Sequence, residues 1–414
     1  MRPKQYILLF LIMCYWFMIS FMTNSIAPLI PGIIANFELQ DLTLAGFLPS
    51  SFFVAYAVMS IPAGILVDRY GEKVILMTGF AMPLLGALLF ACNPSYGMLL
   101  TSCFIIGLGV AMLQTVMNPL QRKVGGERNY AFVAQMGQFV FGLGSLAAPL
   151  VYRYVMSHVE RSSDPQGLMV ILAKLTPTGL PWVSIYWIFV FLLILMLLSA
   201  AVTRFPSVES TPVERVGAET YKHLFGRRLV WIYFLGILCY IATEQGVTVF
   251  MSTFLERYHD VPAHEVGIKV LSNYWIAMVC GCLVGMILLR FIDGRYILRT
   301  STILAGIALA VALFGSTTVS MVAFVAIGFC LSVMFSLIFS LALNSFTEHH
   351  GALAGVLCSG MVGGALGPLV VSALADATGS LKVGMTFIFL TIGYMCFVGF
   401  VAKPLISNKT ISLK

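Results

Sequence analysis

Long apolar runs almost free of charge, such as Ile188–Ala201 and Ala305–Phe314, dominate this chain and limit what it can fold into. Lipid offers no hydrogen bonds, so a segment crossing a hydrocarbon core of ~30 Å must be a helix of about 20 apolar residues. Composition agrees. Hydrophobic residues make up 59% and charged residues 10% of the 414, where a soluble domain carries ~25% charge. Turn and charge signals divide the sequence into twelve spans, at 6–34, 44–67, 74–92, 97–119, 130–156, 182–203, 229–255, 265–289, 298–316, 320–345, 351–375 and 383–402. The expected class is an all-α membrane protein.

The net charge of +7 does not point to nucleic acid, because the basic residues stand singly at the ends of apolar runs. They report topology instead. With both termini on one side, all but six of the 24 Lys and Arg residues fall on that side, the exceptions being Arg153, Arg161, Lys174, Arg257, Lys269 and Lys382. The positive-inside rule then makes both termini cytoplasmic, and an inner (cytoplasmic) membrane is the expected location. The N-terminal apolar segment runs on without a small-residue cleavage site and reads as an uncleaved first helix.

Residues 204–228 hold Pro206, Pro212, Glu209, Glu214 and Glu219 and read as a cytoplasmic linker between an N-terminal six-helix bundle, 1–203, and a C-terminal one, 229–414. A weak internal echo supports the division. Span five contains Gly142-Leu-Gly-Ser-Leu-Ala-Ala-Pro149, and span eleven contains Gly363-Gly-Ala-Leu-Gly-Pro368. Two repeated bundles around a mid-membrane site are a known transporter architecture.

Enzyme chemistry finds no foothold. HExxH, GxSxG and GxxxxGK[ST] are absent, as are CxxC pairs and Cys/His clusters, so no cofactor, metal or catalytic residue is expected. The nine cysteines read as small packing residues, and all six histidines fall at loops or helix ends.

After span two comes Gly64-Ile-Leu-Val-Asp68-Arg69-Tyr-Gly71-Glu-Lys73. Gly64 permits close helix approach, Gly71 a tight turn, and Asp68 can hold a neighbouring helix N-terminus by charge and dipole. The segment resembles the loop signature of the major facilitator superfamily, which implies that fold and a conformational latch formed by Gly64, Asp68, Arg69, Gly71 and Lys73. Asp293-Gly294-Arg295 after span eight looks like a worn copy. Gly107-Leu-Gly109 through Gln114-Thr115 to Asn118-Pro119, then Gln135 and Gln138, Thr243-Glu244, and Ile338-Phe339-Ser340 to Asn344 resemble the fucose/glucose/galactose:proton symporter family. The resemblance implies a monomeric sugar importer working by alternating access, with a proton or sodium ion as the coupling candidates. Members that couple to protons carry an acid where Gln114 stands here.

Polar side chains at bilayer depth are costly and turn toward a cavity or a helix partner. Asn24, Gln114, Asn118, Gln135, Gln138, Glu244, Gln245, Asn273 and Asn344 are such residues, and most are amides, which donate and accept at once and suit sugar hydroxyls. For each amide, an interhelical hydrogen bond is the competing role. Trp275 adds a flat apolar face. Glu244 is the only carboxylate well inside a span, hence the candidate ion carrier, with structural pairing as the other reading. No cation lies mid-span, which favours a neutral solute. An exporter of drugs or other amphipathic solutes with the same fold is the alternative.

Overall fold

The computed structural model describes all of the chain except residues 1–2, 27, 28, 30–32, 34, 35, 38–41, 160–167, 178, 206–217, 262–267 and 408–414. Twelve helices among the described residues are long and apolar enough to cross a membrane. The helices are α1 Pro3–Asn24, α2 Leu42–Tyr70, α3 Glu72–Cys92, α4 Tyr96–Gly125, α5 Tyr130–Val159, α6 Leu168–Leu175, α7 Ser184–Val202, α8 Ala218–Gly226, α9 Arg228–His259, α10 Ile268–Leu288, α11 Gly294–Phe314, α12 Thr317–Leu331, α13 Met334–Leu343, α14 His350–Ser359, α15 Gly363–Thr378 and α16 Leu381–Val401. The short α6 and α8 lie in the connections. α12 with α13, and α14 with α15, each make one span. The side on which α1 begins and α16 ends is called the near face below, and the opposite side the far face.

Two apolar cores follow the two halves of the chain, except that Tyr130, Ala131 and Ala134 at the start of α5 join the core of the C-terminal half. One gathers Tyr15, Phe80, Phe90, Trp182 and Phe189, the other Tyr233, Tyr240, Phe254, Tyr274 and Phe324. The glycine-rich stretches singled out in the sequence occupy equivalent places in the two bundles. A Cβ on Gly144 would lie 2.7 Å from the Phe17 carbonyl of α1, and one on Gly367 would lie 2.5 Å from the Ala242 carbonyl of α9. In each half, the fifth span rests backbone to backbone on the first. Small residues drive such approaches in lipid, where apolar burial alone supplies little.

Two elements differ from the sequence reading. α4 continues to Gly125 rather than ending at Pro119, so Arg122 and Lys123 belong to its last turn and Arg122 is buried. The helix persists because this end packs against the other bundle instead of facing water. Span ten is broken between Leu331 and Met334. A break frees a carbonyl that needs a partner at this depth, and the Ser332 oxygen receives Gln135 Nε2 from the opposite bundle at 3.1 Å and Cys282 Sγ at 3.4 Å. Of the linker, Pro206, Glu209, Pro212 and Glu214 lie outside the described residues, while Glu219 falls in α8.

Candidate functional site

A cavity of about 340 Å³ lies between the two bundles. α1, α2, α4 and α5 supply one wall, with Trp16, Asn24, Phe53, Tyr56, Gln114 and Gln138. α9 and α10 supply the other, with Tyr240, Glu244, Gln245 and Trp275, and Phe335 of α13 also lines it. Each wall takes its polar residues from positions where a helix turns a single face to the gap. Tyr240, Glu244 and Thr248 recur at intervals of four along α9 and so share that face.

Glu244 is the only acidic residue in the lining among the described residues, and the lining contains no Lys, Arg or His. Tyr240 OH donates to its Oε2 at 2.7 Å, and Gln245 Nε2 approaches Oε1 at 3.4 Å. On the opposite wall Asn24 Nδ2 donates to the Ser20 carbonyl at 3.0 Å and to Ser145 Oγ at 2.9 Å. Trp16 Nε1, Tyr56 OH and Gln114 Oε1 are buried without a hydrogen-bond partner. A buried polar atom left without a partner costs about 1–3 kcal/mol, and three of them belong to residues of this one cavity wall.

The structure brings together Asn24, Gln114, Gln138, Glu244, Gln245 and Trp275 of the residues singled out from sequence. The other four lie elsewhere. Asn118 is buried and donates to the Gln114 carbonyl one turn earlier in α4 at 2.9 Å. Gln135 bridges the bundles, donating to Ser332 O and accepting from Ser336 Oγ. Asn273 is exposed on α10, and Asn344 meets Arg122 near the near face. Sequence reasoning passed over Trp16, Tyr56 and Tyr240, because an aromatic inside an apolar run is indistinguishable from a lipid-facing one. For Tyr240 the four-residue spacing to Glu244 was the available signal.

The near face is closed beneath the cavity. Asp68 Oδ2 accepts the backbone N–H of Ala352, in the first turn of α14, at 2.8 Å. A Cβ on Gly355 would stand 2.6 Å from the Ser60 carbonyl and 3.0 Å from Gly64 Cα, so α2 and α14 touch at their backbones. Gly71 takes φ 82°, a conformation that favours glycine, and starts α3. Lys73 Nζ donates to the Ala201 carbonyl at the end of α7 at 2.6 Å, and Arg69 lies over the Tyr70 ring. The second copy behaves differently. Asp293 accepts from Arg295 N at 2.9 Å and pairs with its side chain, capping its own helix α11.

The sequence model of the Major Facilitator Superfamily matches residues 8–357 and 234–409. The glucose/galactose transporter of Brucella abortus biovar 1 (strain 9-941) is 28% identical over 397 residues, covering 94% of this chain and 92% of the relative. The L-fucose-proton symporter of Escherichia coli (strain K12) is 24% identical over 404 residues, covering 92% and 90%. The solved structure of the E. coli fucose:proton symporter FucP superposes with a TM-score of 0.82 at 21% identity, over 97% of this chain and 100% of that one; the likeness establishes a shared fold.

Proposed function

Because the chain belongs to the Major Facilitator Superfamily, we propose that it is a secondary active transporter importing a neutral monosaccharide of the glucose, galactose or fucose type by alternating access. The observation that carries this reading is the cavity itself: a single chamber walled by both bundles, polar enough for hydroxyls and aromatic enough for a sugar's C–H face, and free of cations. Named relatives that transport glucose/galactose or fucose with a proton, aligned over more than nine-tenths of the chain, support the substrate class.

In this reading Trp16, Tyr56 and Gln114, whose Nε1, OH and Oε1 are buried without a partner, turn these groups to the sugar hydroxyls as the solute enters, the first two as donors and the third as acceptor. Gln138, Gln245 and Asn24 complete the polar rim, and Trp275 offers its ring as a platform. Glu244 is the coupling group. Its carboxylate has a tyrosine hydroxyl and an amide as hydrogen-bond partners, so a proton arriving with the solute neutralises it before the cavity changes sides. Sodium is the alternative ion. Asp68, with Gly64 and Gly71, holds the near face shut in this state.

We further assign 1–203 and 229–414 to the two moving bundles and 204–228 to their linker. The near face is cytoplasmic by its excess of Lys and Arg, the membrane is the inner one, the protein works as a monomer in the bilayer, and transport involves no enzymatic step. Uptake of radiolabelled monosaccharides into proteoliposomes, with and without a proton or sodium gradient, tests the reading. Gradient-driven accumulation of one sugar supports it. Equilibration without accumulation removes the coupling, and no uptake of any neutral sugar removes the substrate class.

A further inference from the structure

Beside the Asp68 contact, the near face carries a second bridge between the bundles, of different chemistry. Arg122, buried in the last turn of α4, donates from Nε to Oδ1 of Asn344 at 3.0 Å. Its Nη1 lies 3.0 Å from Nε2 of His350 and 3.0 Å from Glu127 Oε1. Asn344 follows α13 and His350 opens α14, so both belong to the opposite bundle, while Glu127 belongs to Arg122's own. Asn344 Nδ2 also reaches the Glu127 carbonyl at 3.4 Å.

The protonation state of this bridge follows from donor and acceptor counting. A guanidinium carries five N–H donors and no acceptor. His350 can therefore join only by accepting at Nε2, which makes the ring neutral with its hydrogen on Nδ1, an atom that is buried and without a partner. Protonating the ring turns Nε2 into a donor and sets two cations against each other at contact distance. The charged and titratable groups that act on His350 directly are Arg122 of α4 and the adjacent His349; one step further out, Glu127 and Tyr130 act on Arg122, and Asp68 of α2 interacts with His349 and with Glu72 of α3. Glu127 is engaged by Arg122 and Asp68 by Ala352. Neither carboxylate hydrogen-bonds the imidazole.

We propose that Arg122, Asn344 and His350 form a second lock between the two bundles, released when a proton reaches His350 from the near face. The two locks then differ in chemistry: the Asp68 contact is a carboxylate on the α14 backbone, and the Arg122 contact breaks when the imidazole it donates to takes up a proton. By linkage, opening the near face favours proton uptake at His350 and acid favours opening. The inference rests on alternating access of the bundles and not on which solute is carried.

Hydrogen–deuterium exchange of the α14 amides, residues 351–358, in the full-length protein in lipid nanodiscs tests it without any solute. After correction for intrinsic exchange, protection in the wild type falls on the order of tenfold between pH 7.5 and 5.5. His350→Gln keeps an acceptor but takes up no proton, and loses this fall, whereas Asp68→Asn, which removes the other titratable group on the α14 amides, keeps it. Arg122→Gln shows low protection at both pH values. Wild-type protection that ignores pH, or a His350→Gln protein that responds as the wild type does, overturns the proposal. Should His350→Gln fail to fold, His350→Asn makes the same comparison. Because no sugar enters the experiment, its outcome is independent of the substrate assignment.

Discussion

Glu244 stands in a wall of amides and aromatics, and its two hydrogen-bond partners are both uncharged. Glu244→Gln keeps the shape and a hydrogen-bonding group but removes the exchangeable proton. The expected result is loss of gradient-driven accumulation with downhill exchange retained, read by comparing uphill uptake with counterflow in proteoliposomes. Retention of accumulation and of its pH dependence removes Glu244 from coupling. Gln138→Ala, on the opposite wall, deletes one neutral polar contact. KM should rise about tenfold, corresponding to ~1.4 kcal/mol, with smaller effect on the maximal rate. Gln135→Ala serves as the contrast, because Gln135 ties α5 to the broken span ten rather than lining the cavity. Its expected signature is a changed rate of exchange between states at nearly unchanged KM, measured by the same uptake kinetics.

At the scale of elements, the α2–α14 seam is the device to test. Its backbones meet at Gly64 and Gly355, and Asp68 caps the start of α14. A carboxylate at a helix N-terminus contributes about 1–2 kcal/mol in a partly buried setting, so Asp68→Asn should weaken near-face closure about tenfold. Increased hydrogen exchange in 351–358 reads this directly. Gly355→Val forces a side chain into the Ser60 carbonyl and should prevent closure altogether, abolishing transport in a protein that remains folded by circular dichroism and monodisperse in detergent. If transport survives Gly355→Val, the seam is not the gate. The copy at Asp293 is expected to tolerate Asn with transport intact, since it caps only α11.

Across the whole molecule, each half holds most of its own core, with the cavity between the two. What the sequence alone determined follows from local rules. Hydropathy set the number of spans, because each must satisfy its backbone by itself. The bias of Lys and Arg gave the expected sidedness of the loops, and the Gly64-to-Lys73 segment marked the seam. The cost of burying a polar group identified which residues must find a partner. It did not say which partner, and only the tertiary structure decided that. Gln114 and Gln138 turn to the cavity, while Gln135 and Asn344, equally polar, turn to the facing bundle. Trp16, Tyr56 and Tyr240 join the cavity although their residue types are those of a lipid-facing stripe. Arg122 and His350 looked like loop residues and proved to meet across the interface. The reason is physical: desolvation is a property of one residue in its span, whereas a hydrogen bond at this depth belongs to a pair, and the pairs here join helices more than 200 residues apart in the chain.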